Sequence, residues 1–184
     1  MPEPMRMLLL GSFLAALAVF FFGAAFWMSP PAQRIFGVPS QPDAFAQSLL
    51  DHLPATGVYE YPLTTGPSTE PATAARKGPS AIIHFHREAL PAQDPAQLGR
   101  GFLVIWVTMA LMGVLLQLAC PALPTYGSRV LFTAVAGLIV AANSDLGATV
   151  WWMHSAPFAA ANALYNVLSF TLGGLILARF IRRA

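Results

Sequence analysis

Asp145 is the only charged residue within the long apolar stretches of this sequence. An ionisable side chain among membrane-length apolar residues is costly, and by default it marks a candidate functional site. Thr133, Gly137 and Ala141 precede it at intervals of four, so a helix would place the carboxylate on a stripe of small residues. Because small residues let membrane helices approach closely, we expect Asp145 to face protein rather than lipid.

A second stripe of polar and small side chains in the last apolar stretch could meet Asp145. A helix would place four of its residues on one face: Asn162, Asn166, Ser169 and Gly173. Asn143 and His154 complete the candidate cluster. This cluster could form a polar pocket, take part in proton or ion transfer, or bind a lipid headgroup. The alternative is packing through interhelical hydrogen bonds, which contribute about 0.6–2 kcal/mol each in membranes. The sequence favours packing, because a lone carboxylate makes a poor proton relay.

His84 and His86 are the second candidate site, for a metal ion. In a strand these two side chains point to the same face, so both imidazoles could bind one copper or zinc ion. Further ligands could come from His52, His154, Met28 and Met153. The pattern is weak, and a polar face on a surface strand explains it more simply. Arg87 next to the pair also argues against a bound cation.

Recognised catalytic and nucleic-acid-binding patterns are absent from the sequence. It contains no G-x-S-x-G elbow, H-E-x-x-H motif, phosphate-binding glycine loop or dinucleotide fingerprint, which favours a non-enzymatic role. A net charge of +2 without a basic cluster excludes nucleic acid as a partner. Cys120 is the single cysteine, so no intrachain disulfide can form. No pattern identifies a cofactor.

The composition predicts the elements that position these residues. Of the 184 residues, 56% are hydrophobic and 10% are charged, and the mean hydropathy is +0.59. The apolar residues lie in four stretches, each near the roughly 20 residues that a membrane span needs: 7–28, 102–120, 130–150 and 158–178. Trp151 and Trp152 would then lie in the interfacial aromatic belt. We therefore predict an all-α membrane protein, a bundle of four transmembrane helices.

Residues 30–100 form a proline-rich segment between the first two predicted spans. Eleven of the sixteen prolines lie there, which excludes one long helix. We predict a short amphipathic helix over 42–53, strands over 58–61 and 81–86, and a mobile loop over 64–79. This small β-containing segment has too little apolar surface to fold robustly alone. We expect it to pack on the helices or on a partner.

The basic residues predict how the chain crosses the membrane. Arg6, Arg129 and Arg179 flank the apolar stretches on one side, whereas 30–100 carries five basic and six acidic residues. The positive-inside rule therefore places both termini in the cytoplasm and residues 30–100 outside a bacterial inner membrane. The first stretch could instead be a secretory signal cleaved after Ala25. The apolar run continues through Met28, which favours an uncleaved anchor.

These observations support three functional hypotheses. The leading hypothesis is a non-catalytic accessory or assembly subunit of a larger membrane complex, or a homo-oligomer. The alternative is a transporter, or a protein that binds small molecules or lipids through the cluster around Asp145. The third is extracytoplasmic metal handling through His84 and His86. Under the first hypothesis, we expect a protein partner or self-association in addition to contact with the lipid bilayer.

Overall fold

The structure is a computed structural model that describes residues 3–61, 79–89, 91 and 94–181. Its elements, in chain order, are α1 (Glu3–Trp27), α2 (Pro30–Gln33), α3 (Pro42–His52), β1 (Gly57–Tyr61), β2 (Ala81–Phe85), α4 (Pro95–Ala119), a 3₁₀ turn (Cys120–Ala122), α5 (Tyr126–Val140), a π-helical segment (Ala141–Leu146), α6 (Gly147–Trp151) and α7 (Ala156–Phe180). The backbone divides into two compact units, Met1–Phe36 with Asp94–Ala184, and Gly37–Gln93.

Among the described residues, four helices are long and apolar enough to cross a membrane. They are Glu3–Trp27, Pro95–Ala122, Tyr126–Trp151 and Ala156–Phe180. The prediction of a mostly helical integral membrane protein is confirmed to this extent. Lipid is therefore the environment that the outer faces of these helices require.

Local sequence explains where these helices begin. The Asp94 carboxylate accepts a hydrogen bond from the Ala96 amide at 2.9 Å, which caps α4. At the start of α5, Thr125 and Ser128 each accept a hydrogen bond from the other's main-chain N–H. Pro157 lies in the first turn of α7, where a missing N–H costs nothing.

Helix α7 is central in the helical unit, because it packs against both α1 and α5, and α1 also packs against α4. The buried core joins α1, α4 and the end of α7 through Leu8, Ala15, Ala16, Val19, Met109, Met112, Leu116, Leu177 and Ile181. Trp106 of α4 donates its indole N–H to the buried Ser12 hydroxyl of α1 at 3.2 Å. Large apolar side chains on the outside of α4 and α5 are exposed, as a lipid-facing surface requires.

Small residues bring α5 and α7 into close contact. A Cβ atom added at Gly137 would lie 3.1 Å from the Val167 Cα and 3.3 Å from the Asn166 carbonyl oxygen. One turn earlier, a Cβ added at Gly174 would overlap the Thr133 hydroxyl. The two backbones could not approach this closely if either glycine carried a side chain.

The helix that carries Asp145 departs from the predicted form. The prediction of a single stripe assumes an uninterrupted α-helix through Thr133, Gly137, Ala141 and Asp145. The structure shows a π-helical segment over Ala141–Leu146 instead. The assumption is wrong there, because a π turn holds an additional residue and rotates the side chains that come after it. The first three residues are buried, but Asp145 is only half-buried.

In the unit Gly37–Gln93, β1 and β2 form a two-stranded antiparallel sheet in which Val58 pairs with His84 and Tyr59 with Ile83. The helix and the two strands expected from the sequence are present, while most of the loop expected over 64–79 lies outside the described residues.

Arg87 connects the end of α3 to this sheet. Its Nη1 donates to the carbonyl oxygens of Leu50 at 3.0 Å and Leu53 at 2.8 Å. Its main-chain N–H donates to the Thr56 hydroxyl at 3.0 Å. A guanidinium suits this position, because the last carbonyls of a helix lack partners within the helix.

Candidate functional site

A pocket of about 520 Å³ lies between the π-helical segment, α6 and the start of α7. The described residues that line it are Asn143, Ser144, Asp145, Gly147, Ala148, Trp151, Trp152, His154, Phe158, Ala159 and Asn162. All of them belong to the helical unit. The volume is within the range of about 300–1,000 Å³ that is typical of small-molecule sites.

The Asp145 carboxylate contributes one oxygen to a helix contact and leaves the other available. Asn166 of α7 donates its Nδ2 to Asp145 Oδ2 at 2.7 Å. In the described part of the chain, Asp145 Oδ1 accepts no hydrogen bond. Asp145 is also the only carboxylate among the described lining residues, and no Lys or Arg lines the pocket. The described lining therefore holds one acidic side chain, Asp145, and one basic side chain, His154.

Asn162 adds a second acceptor. Its Nδ2 donates to the Phe158 carbonyl oxygen of its own helix at 2.9 Å. Because an amide nitrogen must face a carbonyl acceptor, the side-chain oxygen of Asn162 is left for another donor. Asn162 and Asp145 therefore both present acceptor oxygens.

Aromatic side chains also contribute to the wall of the pocket. Trp151 is 77% exposed and Trp152 is 61% exposed, both at the pocket rim. The His154 ring meets the Phe158 ring edge-to-face, with 5.4 Å between the centroids. A few polar groups among aromatic side chains are the usual lining of a small-molecule pocket.

A left-handed residue fixes the connection that carries His154. Met153 has a φ angle of 56°, which is uncommon for a residue with a long side chain. The resulting turn lets the His154 N–H donate to the Ala148 carbonyl oxygen at 3.1 Å. The pocket wall is thus stabilised by a specific backbone turn.

The aromatic side chains continue away from the pocket towards α1. Phe158 contacts the rings of Trp27 and Phe36, and Tyr165 stacks on Phe22 with 5.8 Å between the centroids. From sequence, the aromatic run of the first span suggests a lipid-facing surface. That interpretation is wrong for Phe22 and Trp27, whose half-buried rings pack against α7.

The structure brings together most of the predicted cluster. Asn143, Asp145, His154 and Asn162 line the pocket, and Asn166 holds Asp145 from α7. Ser169 is buried outside this lining, and its hydroxyl has no hydrogen-bond partner within the described residues.

Sequence reasoning did not assign seven residues of this lining to the cluster: Ser144, Gly147, Ala148, Trp151, Trp152, Phe158 and Ala159. For Phe158, the sequence did offer a signal: it lies four residues after His154, at the start of the last helix.

The predicted metal pair lies in the other unit. His84 is an exposed residue of β2, and the Nδ1 of His86, just beyond the strand, is 3.0 Å from the Glu88 carbonyl oxygen. Throughout the described residues, no three His, Cys, Asp or Glu side chains are grouped closely enough to hold a metal ion. His52 Nδ1 lies 2.8 Å from the Ser48 carbonyl oxygen of its own helix.

Comparisons with protein-family models, with curated proteins and with solved structures each find no significant match to the chain. The functional argument therefore depends on the geometry of the pocket.

Proposed function

We propose that this integral membrane protein binds a small molecule or a lipid headgroup in the pocket around Asp145. The observation that carries the proposal is a cavity of about 520 Å³ whose wall contains a carboxylate oxygen without a hydrogen-bond partner in the described chain. Pockets of this kind, with few polar groups among aromatic side chains, are the default binding sites of proteins.

The hydrogen bonds argue against a purely structural cluster. Only the pair of Asp145 and Asn166 links α7 to the helix before it in the described cluster, because Asn162 bonds to its own helix. The side chains of Asn143 and His154 make no hydrogen bond to the described chain. If the cluster served packing alone, these groups would be expected to pair across the helix interface.

The backbone also supports the proposal. The π-helical segment Ala141–Leu146 carries Asn143, Ser144 and Asp145 into the lining. Such segments are rare and occur frequently at functional sites, because they re-aim side chains within a helix.

We further propose that both ends of the chain lie in the cytoplasm of a bacterium and that the pocket lies in the outer half of the inner membrane. The distribution of arginine supports this orientation. A test uses single cysteines at Ser40 and Ser128 in a Cys120→Ala background. An impermeant maleimide added to intact cells should label Ser40→Cys alone, and labelling of Ser128→Cys alone would reverse the orientation.

Native mass spectrometry of protein released from its own membrane tests the binding proposal. A Cβ added at Gly147 meets only the Ala142 carbonyl oxygen, at 3.9 Å, so Gly147→Leu should fill the pocket without disturbing the helices. Gly101→Leu in α4 is the control, since nothing lies within 4 Å of a Cβ there. We expect a bound molecule on the wild type and on Gly101→Leu but not on Gly147→Leu. Equal occupancy of all three would contradict the proposal.

The second candidate function is that of an accessory or assembly subunit that binds a partner through residues 37–93. Within this unit no described residue is buried, and Val38, Phe45 and Val58 are exposed. An interaction with another protein would supply the burial that the unit lacks. Replacing residues 40–90 with a short Gly-Ser linker should remove a stoichiometric partner from the purified complex. Retention of that partner by the folded variant would exclude this role.

A further inference from the structure

We infer that the ligand carries a primary ammonium group, which enters the pocket lined by Asp145 and by aromatic side chains. This inference rests on the proposed function, because it names the chemistry of the molecule that the pocket holds. Three features of the described lining carry it: the sign of its charge, its available hydrogen-bonding atoms and its aromatic rings.

The carboxylate in the lining favours a cation over an anion. Asp145 is the sole carboxylate among the described lining residues, no Lys or Arg lines the pocket there, and His154 is the only other titratable side chain of that lining. A half-buried carboxylate without a counter-ion is unfavourable in a medium of low polarity. A phosphate or carboxylate ligand would increase that cost, whereas an ammonium group would remove it.

The hydrogen-bonding atoms favour a primary over a quaternary ammonium group. Asp145 Oδ1 and the Asn162 side-chain oxygen are both acceptors that the described chain leaves available. A primary ammonium group carries three N–H donors and no acceptor, so it has enough donors for both oxygens. A trimethylammonium group has no N–H and would leave both of them unpaired.

The aromatic side chains complete the match. Trp151, Trp152 and Phe158 line the same cavity. Indole faces attract cations more strongly than other aromatic side chains, and this attraction increases when water is excluded. A carboxylate and indole rings that line one pocket are therefore a combination that favours an organic cation.

Two sources could supply the group: a free organic amine, or the ethanolamine headgroup of a membrane lipid. The chemistry at Asp145 is the same for both. Leu146 and Val150, next to the pocket, are 52% and 70% exposed, so the acyl chains of a lipid would have an apolar surface to lie on. The experiment distinguishes the two sources.

Calorimetric titration of the full-length detergent-solubilised protein with n-butylammonium, and separately with neutral butan-1-ol, tests the inference. We expect wild-type protein to bind butylammonium and not butan-1-ol. Asp145→Asn should weaken binding at least about tenfold, because it removes one partner of a partly desolvated charge pair. Asp145→Glu should retain the preference for the charged probe. Glu3→Gln, which removes a charge from the exposed start of α1, should bind as the wild type does.

A second experiment measures lipid binding by the same variants in nanodiscs of phosphatidylethanolamine mixed with phosphatidylglycerol. Retention of phosphatidylethanolamine that requires Asp145, without binding of free butylammonium, would identify the headgroup as the source. Equal binding of butylammonium and butan-1-ol, or lipid retention independent of Asp145, would overturn the ammonium inference. The proposed function would survive that result if Gly147→Leu still lost its bound molecule, so the two failures are distinguishable.

Discussion

Substituting Gly137 with alanine should separate α5 from α7 at a point of close contact. The added methyl carbon would lie 2.8 Å from the Phe170 Cβ, 3.1 Å from the Val167 Cα and 3.3 Å from the Asn166 carbonyl oxygen. Two of these three atoms belong to the main chain of α7 and cannot rotate away. Carbon atoms pack best at about 3.5–4.0 Å, so the helices must move apart by roughly half an ångström.

Two opposing terms set the size of the effect. Overpacking a close contact costs about 1–3 kcal/mol. Replacing glycine by alanine in a helix contributes about 1 kcal/mol in the other direction. Gly137→Ala should therefore destabilise the bundle by about 0–2 kcal/mol. It should also lengthen the hydrogen bond between Asn166 and Asp145, because Asn166 lies at the contact.

Gly101→Ala in α4 is the matched control, since a Cβ there meets nothing within 4 Å and only the helix-propensity term remains. Thermal unfolding in mild detergent, followed by circular dichroism, compares the two variants. We expect Gly101→Ala to be the more stable by about 1–3 kcal/mol. Equal unfolding temperatures would refute the argument that α5 and α7 are held this closely.

Three further predictions concern other contacts. Trp106→Phe should lose the hydrogen bond to Ser12 and destabilise the bundle by about 0.6–2 kcal/mol, and a double-mutant cycle with Ser12→Ala should show that the two losses are not additive. Arg87→Ala should loosen the end of α3 and speed limited proteolysis within residues 37–61, whereas Arg34→Ala, at an exposed position, should not; equal digestion rates would contradict this. Met153→Gly should raise the unfolding temperature, because glycine adopts a positive φ angle without the cost of roughly 1 kcal/mol that other residues incur, and a lowered temperature would show that the side chain of Met153 is needed.

The sequence predicts the four long helices well, because membrane-length apolar stretches leave few alternatives. Backbone groups in lipid must bond within their own segment, so composition alone determines helix formation. The stripe of Thr133 and Gly137 also predicts a close helix contact, and the structure shows one at both residues.

The site was predicted only in part. Helical spacing places Asn162 and Asn166 on one face, and the structure finds Asn166 bonded to Asp145. The π-helical segment could not be derived, because its hydrogen-bond pattern leaves no periodic signature in the residue types. Without it, the half-buried position of Asp145 cannot be obtained from spacing.

The aromatic residues show why local patterns are insufficient. Phe22 and Trp27 have the composition of a lipid-facing run, yet their rings contact Tyr165 of α7. That contact depends on which helices are neighbours, and the arrangement of helices is a tertiary property that hydropathy does not encode. The left-handed Met153 is equally unforeseen, because glycine or asparagine is usual at such a position.

A crystal structure of the full-length protein grown in a lipidic phase containing phosphatidylethanolamine would test the central claim most directly. The account predicts density for a bound molecule in the pocket, with a nitrogen atom within hydrogen-bonding distance of Asp145 Oδ1 and beside the Trp151 and Trp152 rings. A pocket closed by its own side chains, with both Asp145 oxygens bonded to protein, would contradict the account.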